Sequence, residues 1–508
     1  MKTFRRTKIV ATLGPSADVP GVLENILRAG VDVVRLNFSH GTAEQHERCA
    51  ARVREISRRH QRHVAILADL QGPKIRIAGF RSGGAVTLKE GRAFDLDVAL
   101  PEDAGDETQV GCVYQDLPRD VQVGDTLLLN DGLIHLKVDA VEGTRVKCTV
   151  TVGGVLSKNK GINKLGGGLS APALTDKDKE DLRTAVRIGA DYLAVSFPRS
   201  KEDILMAREL LRQQGSNMGV VAKIERAEAI REGVIEGIID ASDAIMVARG
   251  DLGVEIGDAH LPHEQKRLIG LARARNRVVI TATQMMESMI ENPQPTRAEV
   301  LDVANAVIDG TDAVMLSAET ATGKYPDRAV AAMARICLEA EKYPRTRQFD
   351  QRSDETFSRI DEAIARAAMF VANHLRVRLI GALTETGSTP LWMSRVSSGI
   401  PIFALTEHES TCRRVTLFRG VYPISFNEKR FADQVTLNRA IAEEFLRRDL
   451  VEEDDLVILT RGALTGLVGG TNTLKISRIG DLLTAAPPVA SKRCAESELG
   501  LEVTPSES

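Results

Sequence analysis

Eight short apolar runs, at 8–13, 31–38, 63–68, 192–197, 219–224, 244–248, 278–282 and 313–316, punctuate the first two thirds of the chain. Each is rich in Val, Ile, Leu and Ala, and the end of each is marked by a polar, charged, proline or glycine residue. Runs of this length and β-branched content read as strands buried on both faces. Most are followed by a segment of helical period. Thr42 to His60 places Ala43, His46, Ala50, Val53 and Ile56 on one side, and Thr296 with Glu299 forms a capping box that opens another helix. Eight strand–helix units predict a closed parallel (β/α)₈ barrel, a TIM barrel, with its chemistry where the strands end.

The pattern changes between Gly72 and about Ser170. Runs there alternate apolar and polar, and turns such as Asn130-Asp131-Gly132 and Glu142-Gly143 separate them. This is hairpin patterning, and it predicts a small β-barrel lid domain inserted after the third strand. The Gly-, Asn- and Lys-rich stretch 158–168 reads as its hinge. Past residue 345, four more strands alternating with helices predict a C-terminal α/β domain with an open sheet. The expected division is 1–70 with 171–345 for the barrel, 71–170 for the insert, 346–480 for the C-terminal domain and 481–508 for a disordered tail.

Composition narrows the function. The 508 residues carry a formal net charge of −3 and only 4% aromatics, which argues against nucleic acid as a partner. No run approaches the ~18 apolar residues of a membrane span, and no signal core follows the basic start, so a cytoplasmic location is expected. The six cysteines have neither zinc nor redox spacing.

The strand ends carry the candidate chemistry. Lys223 and Glu225 alternate and so share the inward face. Arg249-Gly250-Asp251-Leu252-Gly253 ends the next strand, and Asp251 is placed to join Glu225 on one Mg²⁺. Each motif alone also reads as a structural ion pair or a capped turn, but two on adjacent strand ends favour a site. Thr283, Ser317 and Glu319 end the last two strands. Arg35, Asn37 and Ser39 share a face of the second run, and Asp69 ends the third, with Lys74 and Arg76 just beyond. No Walker A sequence is present, which excludes P-loop chemistry.

The segments 33–41 (VVRLNFSHG), 69–76 (DLQGPKIR), 223–225 (KIE), 246–256 (MVARGDLGVEI), 281–289 (TATQMMESM) and 315–320 (MLSAET) resemble, in order and spacing over about residues 5–480, the pyruvate kinase family. The resemblance implies Mg²⁺-dependent phosphoryl transfer from phosphoenolpyruvate to ADP, with Mn²⁺ as an alternative metal. It implies catalytic roles for Lys223, Arg35, Thr283, Ser317 and Glu319, substrate contacts from Gly250, Asp251 and Thr283, and metal ligation by Glu225 and Asp251. Pro15, Asn37, His40, Arg76 and Lys177 match nucleotide-side positions. Asn37, Ser39, Asp69 and Leu70 match the monovalent-cation region, and Lys74 resembles the branch in which a lysine replaces K⁺, so K⁺ is expected not to be required. Thr384, Thr386, Gly387, Ser388 and Thr389 match an effector loop for a sugar phosphate or AMP, and a homotetramer is implied. Two other readings are weighed: a Mg²⁺-dependent enolpyruvate lyase or mutase, and a non-catalytic metabolite sensor. The apparent insert and C-terminal segment speak against the first; retention of Lys223, Glu225 and Asp251 speaks against the second.

Overall fold

The computed structural model describes residues 4–73, 75–347, 357–462 and 469–484. Eight parallel strands close into a barrel in simple sequential order: Lys8–Leu13, Val33–Asn37, Ala65–Asp69, Tyr192–Val195, Gly219–Ile224, Ala244–Ala248, Val278–Ala282 and Ala313–Leu316. Each lies within or overlaps one of the eight apolar runs. Their alternation sorts the side chains. Ile9, Ala11, Val34, Leu36, Ile66 and Val220 pack outward under the helices. Val10, Val33, Ala65, Leu67, Val221, Met246 and Ile280 fill the interior. A barrel of this kind is a packed core rather than a pore, so only its mouth offers room for polar groups.

Capping chemistry sets the helices. Thr42 and Gln45 bond reciprocally at the start of Ala43–Arg59, and Thr296 does so with Glu299 at the start of Arg297–Asp309. Gly72 takes the chain out of the barrel with φ 70°, and a Cβ there would meet Ser196 Cβ at 2.8 Å. Left-handed backbone and close approach together require glycine at this exit.

The inserted β unit consists of a six-stranded sheet and a two-stranded ribbon. They share a core that includes Phe80, Phe94, Leu96, Leu127, Leu136 and Val150. Its returning segment is fastened to the barrel. Arg226 Nη1 donates to Leu169 O at 2.5 Å, Gly168 N donates to Glu228 Oε2 at 3.3 Å, and Asn163 Nδ2 donates to Glu255 Oε1 at 3.3 Å.

The C-terminal sheet has five strands in the spatial order Val421–Ser425, Ile402–Thr406, Leu379–Leu383, Leu456–Gly462, Thr471–Arg478. The fifth, antiparallel strand is absent from the sequence reading, as is the short helix Ile479–Thr484. That helix corrects the expected disordered tail over 481–484: Leu482 is buried against the sheet, which orders this turn. Residues 485–508 lie outside the described residues. The C-terminal unit covers the lower end of the barrel. Lys8 Nζ donates to Val421 O at 2.5 Å and sits 4.2 Å from the centre of the Tyr422 ring. Asp312 pairs with Arg395, and both are buried. Five free cysteines occur among the described residues, and none of their helices is long and apolar enough to cross a membrane.

Candidate active site

The interior register that is apolar low in the barrel turns polar at its upper rim. Continuing Val10, Val33, Leu67, Ala194, Val221 and Met315 by two residues gives Thr12, Arg35, Asp69, Ser196, Lys223 and Ser317. Alternation along parallel strands therefore brings residues remote in sequence to one mouth.

Lys223 Nζ is the hub. It lies 2.9 Å from Glu225 Oε1, 3.4 Å from Asp69 Oδ1, and donates to Ser196 Oγ at 2.8 Å. Asp69 Oδ2 accepts from Arg35 Nε at 2.6 Å, and Arg35 Nη1 donates to Thr12 Oγ1 at 3.0 Å. Ser196 Oγ donates a hydrogen bond to Leu70 O at 2.7 Å, so its lone pairs face the ammonium. Glu225 Oε2 accepts from the Phe197 amide at 2.7 Å, and Phe197 holds a left-handed φ of 54°. Ser196, Thr12 and the Phe197 amide escaped the sequence reading, although the two-residue alternation from Tyr192 through Ala194 points to Ser196.

Electrostatics in this mouth are unbalanced. Asp69, Glu225 and Asp251 face two cations, Lys223 and Arg35. Burial works against the Asp69 carboxylate, but Lys223 and Arg35 outweigh it and hold its pKa below the usual range. Burial also disfavours the Lys223 ammonium, yet Asp69 and Glu225 keep it above an ordinary lysine. Glu225 has no such surplus: burial, with Asp251 adding repulsion, pushes its carboxyl up to about 7. Asp251 is likewise raised by burial, with Asp131 of the inserted unit and Asp69 adding to it. A buried and a partly buried carboxylate, both under-compensated, are hard oxygen donors, and this donor set fits Mg²⁺. Among the described residues no three His, Cys, Asp or Glu side chains form a metal cage.

The sixth and seventh strands meet through Thr283. Its Oγ1 accepts from the Gly250 amide at 2.8 Å and donates to Ala282 O at 2.7 Å. Thr283 and Gln284 both hold left-handed backbone, φ 64° and 53°. Buried Arg249 supports this loop by donating to Thr283 O and Gln284 O at 2.9 Å, and it pairs with Asp302 at 2.8 Å. Gly250 and Asp251 open the helix Arg249–Ile256. A cavity of about 290 Å³ lies between inserted unit and barrel, with Arg76, Asp131, Lys160, Phe197 and Asp251 in its wall.

The remaining candidates occupy different surroundings. Glu319 is buried and does not join the hub; its carboxylate accepts the amides of Ser317 at 2.6 Å and Met286 at 3.1 Å. Ser317 Oγ is buried with no hydrogen-bond partner. Asn37 Oδ1 accepts the Ser39 amide at 3.1 Å, and Lys177 Nζ reaches Phe38 O at 2.9 Å and Asp181 at 2.5 Å. Pro15 begins a short 3₁₀ turn, His40 is exposed, and Leu70 is buried. Lys74 lies outside the described residues. In the C-terminal unit, Thr384 Oγ1 accepts the Gly387 amide at 2.9 Å, Thr386 and Ser388 hydroxyls meet at 2.7 Å, and Thr389 bonds Thr471 at 2.7 Å.

A closed barrel with charged groups gathered at its mouth, a β insert beside it and an α/β unit beneath it defines a three-part barrel protein whose family the known proteins specify. Residues 4–330 match the family model for the pyruvate kinase barrel domain, and residues 362–477 match that for the pyruvate kinase alpha/beta domain. The chain is 55% identical over 477 residues to pyruvate kinase II of Salmonella typhimurium, covering 94% of this chain and 99% of that one. It is 54% identical over 463 residues to a pyruvate kinase of Haemophilus influenzae, covering 91% and 96%. The crystal structure of a pyruvate kinase from Cryptosporidium parvum superposes with a TM-score of 0.87 at 32% identity, covering 94% of this chain and 96% of that one. The chain belongs to the pyruvate kinase family.

Proposed function

We propose that this chain transfers the phosphoryl group of phosphoenolpyruvate to ADP, giving pyruvate and ATP, at the mouth built around Lys223. The observation that carries the reading is the convergence of Lys223, Arg35, Asp69 and Glu225 from three separate strands. In the reaction the enol-ester P–O bond breaks, a bond forms to a terminal ADP oxygen, and the enolate takes a proton at carbon. Such a transfer needs positioning and positive charge more than covalent help from the protein. Lys223 supplies charge to the moving phosphoryl oxygens, and Arg35 grips them with its planar fork. Gly250 and Asp251 amides, with the Thr283 hydroxyl, seat the substrate carboxylate at a helix start once it displaces the Gly250–Thr283 and Thr283–Ala282 bonds. Glu225 and Asp251 would hold Mg²⁺, or Mn²⁺, which adds positive charge beside the transferred group. Ser317 and Thr283 offer hydroxyls on the enolate side, and Glu319 acts as a positioning residue by fixing the Ser317 amide.

Pro15, Asn37, His40, Arg76 and Lys177 form the nucleotide side. The inserted unit closes over the cavity and excludes water that would compete for the phosphoryl group. The run Leu70–Lys74 resembles the bacterial branch with a lysine at this position, which supports Lys74 serving in place of K⁺, so the enzyme works without K⁺. The loop Thr384–Thr389 lies at the C-terminal end of the strand where the sheet order reverses, a place where open α/β sheets take ligands, and it binds a sugar phosphate or AMP as effector. The enzyme works in the cytoplasm as a homotetramer. Pyruvate release by purified protein from phosphoenolpyruvate and ADP, titrated with Mg²⁺ and then with K⁺ and each effector, tests the reading. Mg²⁺-dependent release supports it, and phosphoenolpyruvate consumption without ATP formation overturns it.

A further inference from the structure

The inserted unit meets the barrel along the helix Arg249–Ile256, whose first turn carries Asp251. Three contacts lie there. A Cβ on Gly132, in a left-handed turn with φ 81°, would stand 3.5 Å from Val254 Cγ2. The Gly166 amide donates to Glu255 O at 2.8 Å. Asn163 Nδ2, on the strand Ile162–Lys164, donates to Glu255 Oε1 at 3.3 Å.

Glu255 is 4% exposed, and its other oxygen, Oε2, accepts the Ala227 amide at 2.8 Å. Ala227 stands two residues past Glu225, and Asp251 lies about one turn before Glu255 on the same helix. One carboxylate thus joins the helix of Asp251, the loop that follows Glu225 and a strand of the inserted unit. Burying a carboxylate costs free energy that an apolar residue in its place would not. What Glu255 adds over such a residue is a pair of hydrogen bonds between separate segments.

The chain returning from the inserted unit is shaped to the same seat. Gly167 has φ 79°, and a Cβ on it would overlap Glu228 Oε2, which accepts the Gly168 amide at 3.3 Å. Left-handed backbone and this close approach both require glycine. Arg226 donates to Leu169 O and lies over the Phe197 ring, and the Phe197 amide in turn holds Glu225 Oε2.

We propose that Glu255 is a positioning residue for phosphoryl transfer. Through Asn163 it seats the inserted unit on the Asp251 helix, and through Ala227 it sets that helix against the strand end of Glu225. The inference deepens the reading of the barrel mouth as a phosphoryl-transfer site and rests on it. Closure against water and the spacing of the Glu225–Asp251 pair thereby depend on one side chain.

Three variants test it. Asn163→Ala removes the donor on the inserted unit and leaves the barrel untouched. Glu255→Ala removes both bonds. Glu255→Gln keeps both, since its own amide accepts from Ala227 and the Asn163 amide can turn to accept from it. Hydrogen–deuterium exchange of the amides of residues 158–168 in the full chain reads the seat without turnover. The division of phosphoenolpyruvate between ADP and water reads its effect on the reaction. Exchange about fivefold or more faster in both alanine variants, with a matching rise in the share lost to water, is the expected result. Glu255→Gln should restore both readouts toward wild type, and the double alanine variant should match Glu255→Ala alone. Wild-type exchange in both alanine variants overturns the proposal. So does faster exchange with transfer to ADP and loss to water unchanged, which is what a merely structural contact would give. A wild type that makes no ATP overturns the reading of the mouth instead, whatever the exchange shows.

Discussion

Lys223 Nζ and Glu225 Oε1 stand 2.9 Å apart, although the residues are neighbours on alternate positions of one strand end. That arrangement places a fixed positive charge beside the carboxylate that we propose holds Mg²⁺, and it would make metal binding pH-dependent. Glu225 has a carboxyl raised to about 7, so below that pH a cation must displace a proton to bind. Apparent Mg²⁺ affinity should fall about tenfold per pH unit below 7 and level off above it. Glu225→Gln should lose most of the affinity and flatten the profile. Metal titration between pH 6 and 8 measures both.

Asp69 contacts two buried cations, Arg35 and Lys223. Asp69→Asn leaves both without their shared anion and should destabilise the fold by about 3–5 kcal/mol. The sign with pH is fixed by the lowered pKa of Asp69. Its contribution is present above the ordinary carboxylate pKa and is lost as pH falls through the lower folded value. Denaturant unfolding from neutral to acid pH should show the variant losing its deficit at the acid end.

Glu255 gives the opposite sign. Burial pushes its carboxyl up to about 7, although it accepts the Ala227 amide at 2.8 Å. The folded state therefore holds a proton that the unfolded chain releases near 4.5. Stability from this group is fully present below that value and is lost as pH rises through 7. Glu255→Gln keeps an acceptor for Ala227 and removes the titration. It should be more stable than wild type by about 1–3 kcal/mol at pH 8 and close to it at pH 4.

K⁺ dependence tests the role of Lys74 directly. Wild-type turnover should not change when K⁺ is replaced by a bulky organic cation. Lys74→Glu should be weak without K⁺ and recover on adding it, since a tethered charge and a bound ion serve the same electrostatic need. Wild type that works only with K⁺ contradicts this assignment.

The barrel was legible because its strands are buried on both faces and so appear as unbroken apolar runs. The site was legible because the same two-residue period continues past each run into Arg35, Asp69 and Lys223. Ser196 obeys that rule and was still missed, since a serine before Phe197-Pro198 looks like a turn. The positive φ of Phe197 and Thr283 left no trace in the sequence, because neither is a residue type that favours left-handed backbone. Glu319 looks from its position like a site residue, whereas its hydrogen bonds go to the backbone of Ser317 and Met286. The strand Thr471–Arg478 has no apolar run because it lies at a sheet edge, and only pairing with Leu456–Gly462 defines it.

The most direct measurement is phosphoryl transfer from labelled phosphoenolpyruvate to ADP by wild type and Lys223→Met, with Mg²⁺ saturating and both proteins shown to be folded. Loss of an ammonium that stabilises the moving phosphoryl group should cut turnover by about a thousandfold or more while substrate still binds. Label reaching ATP at similar rates in both proteins would contradict the account.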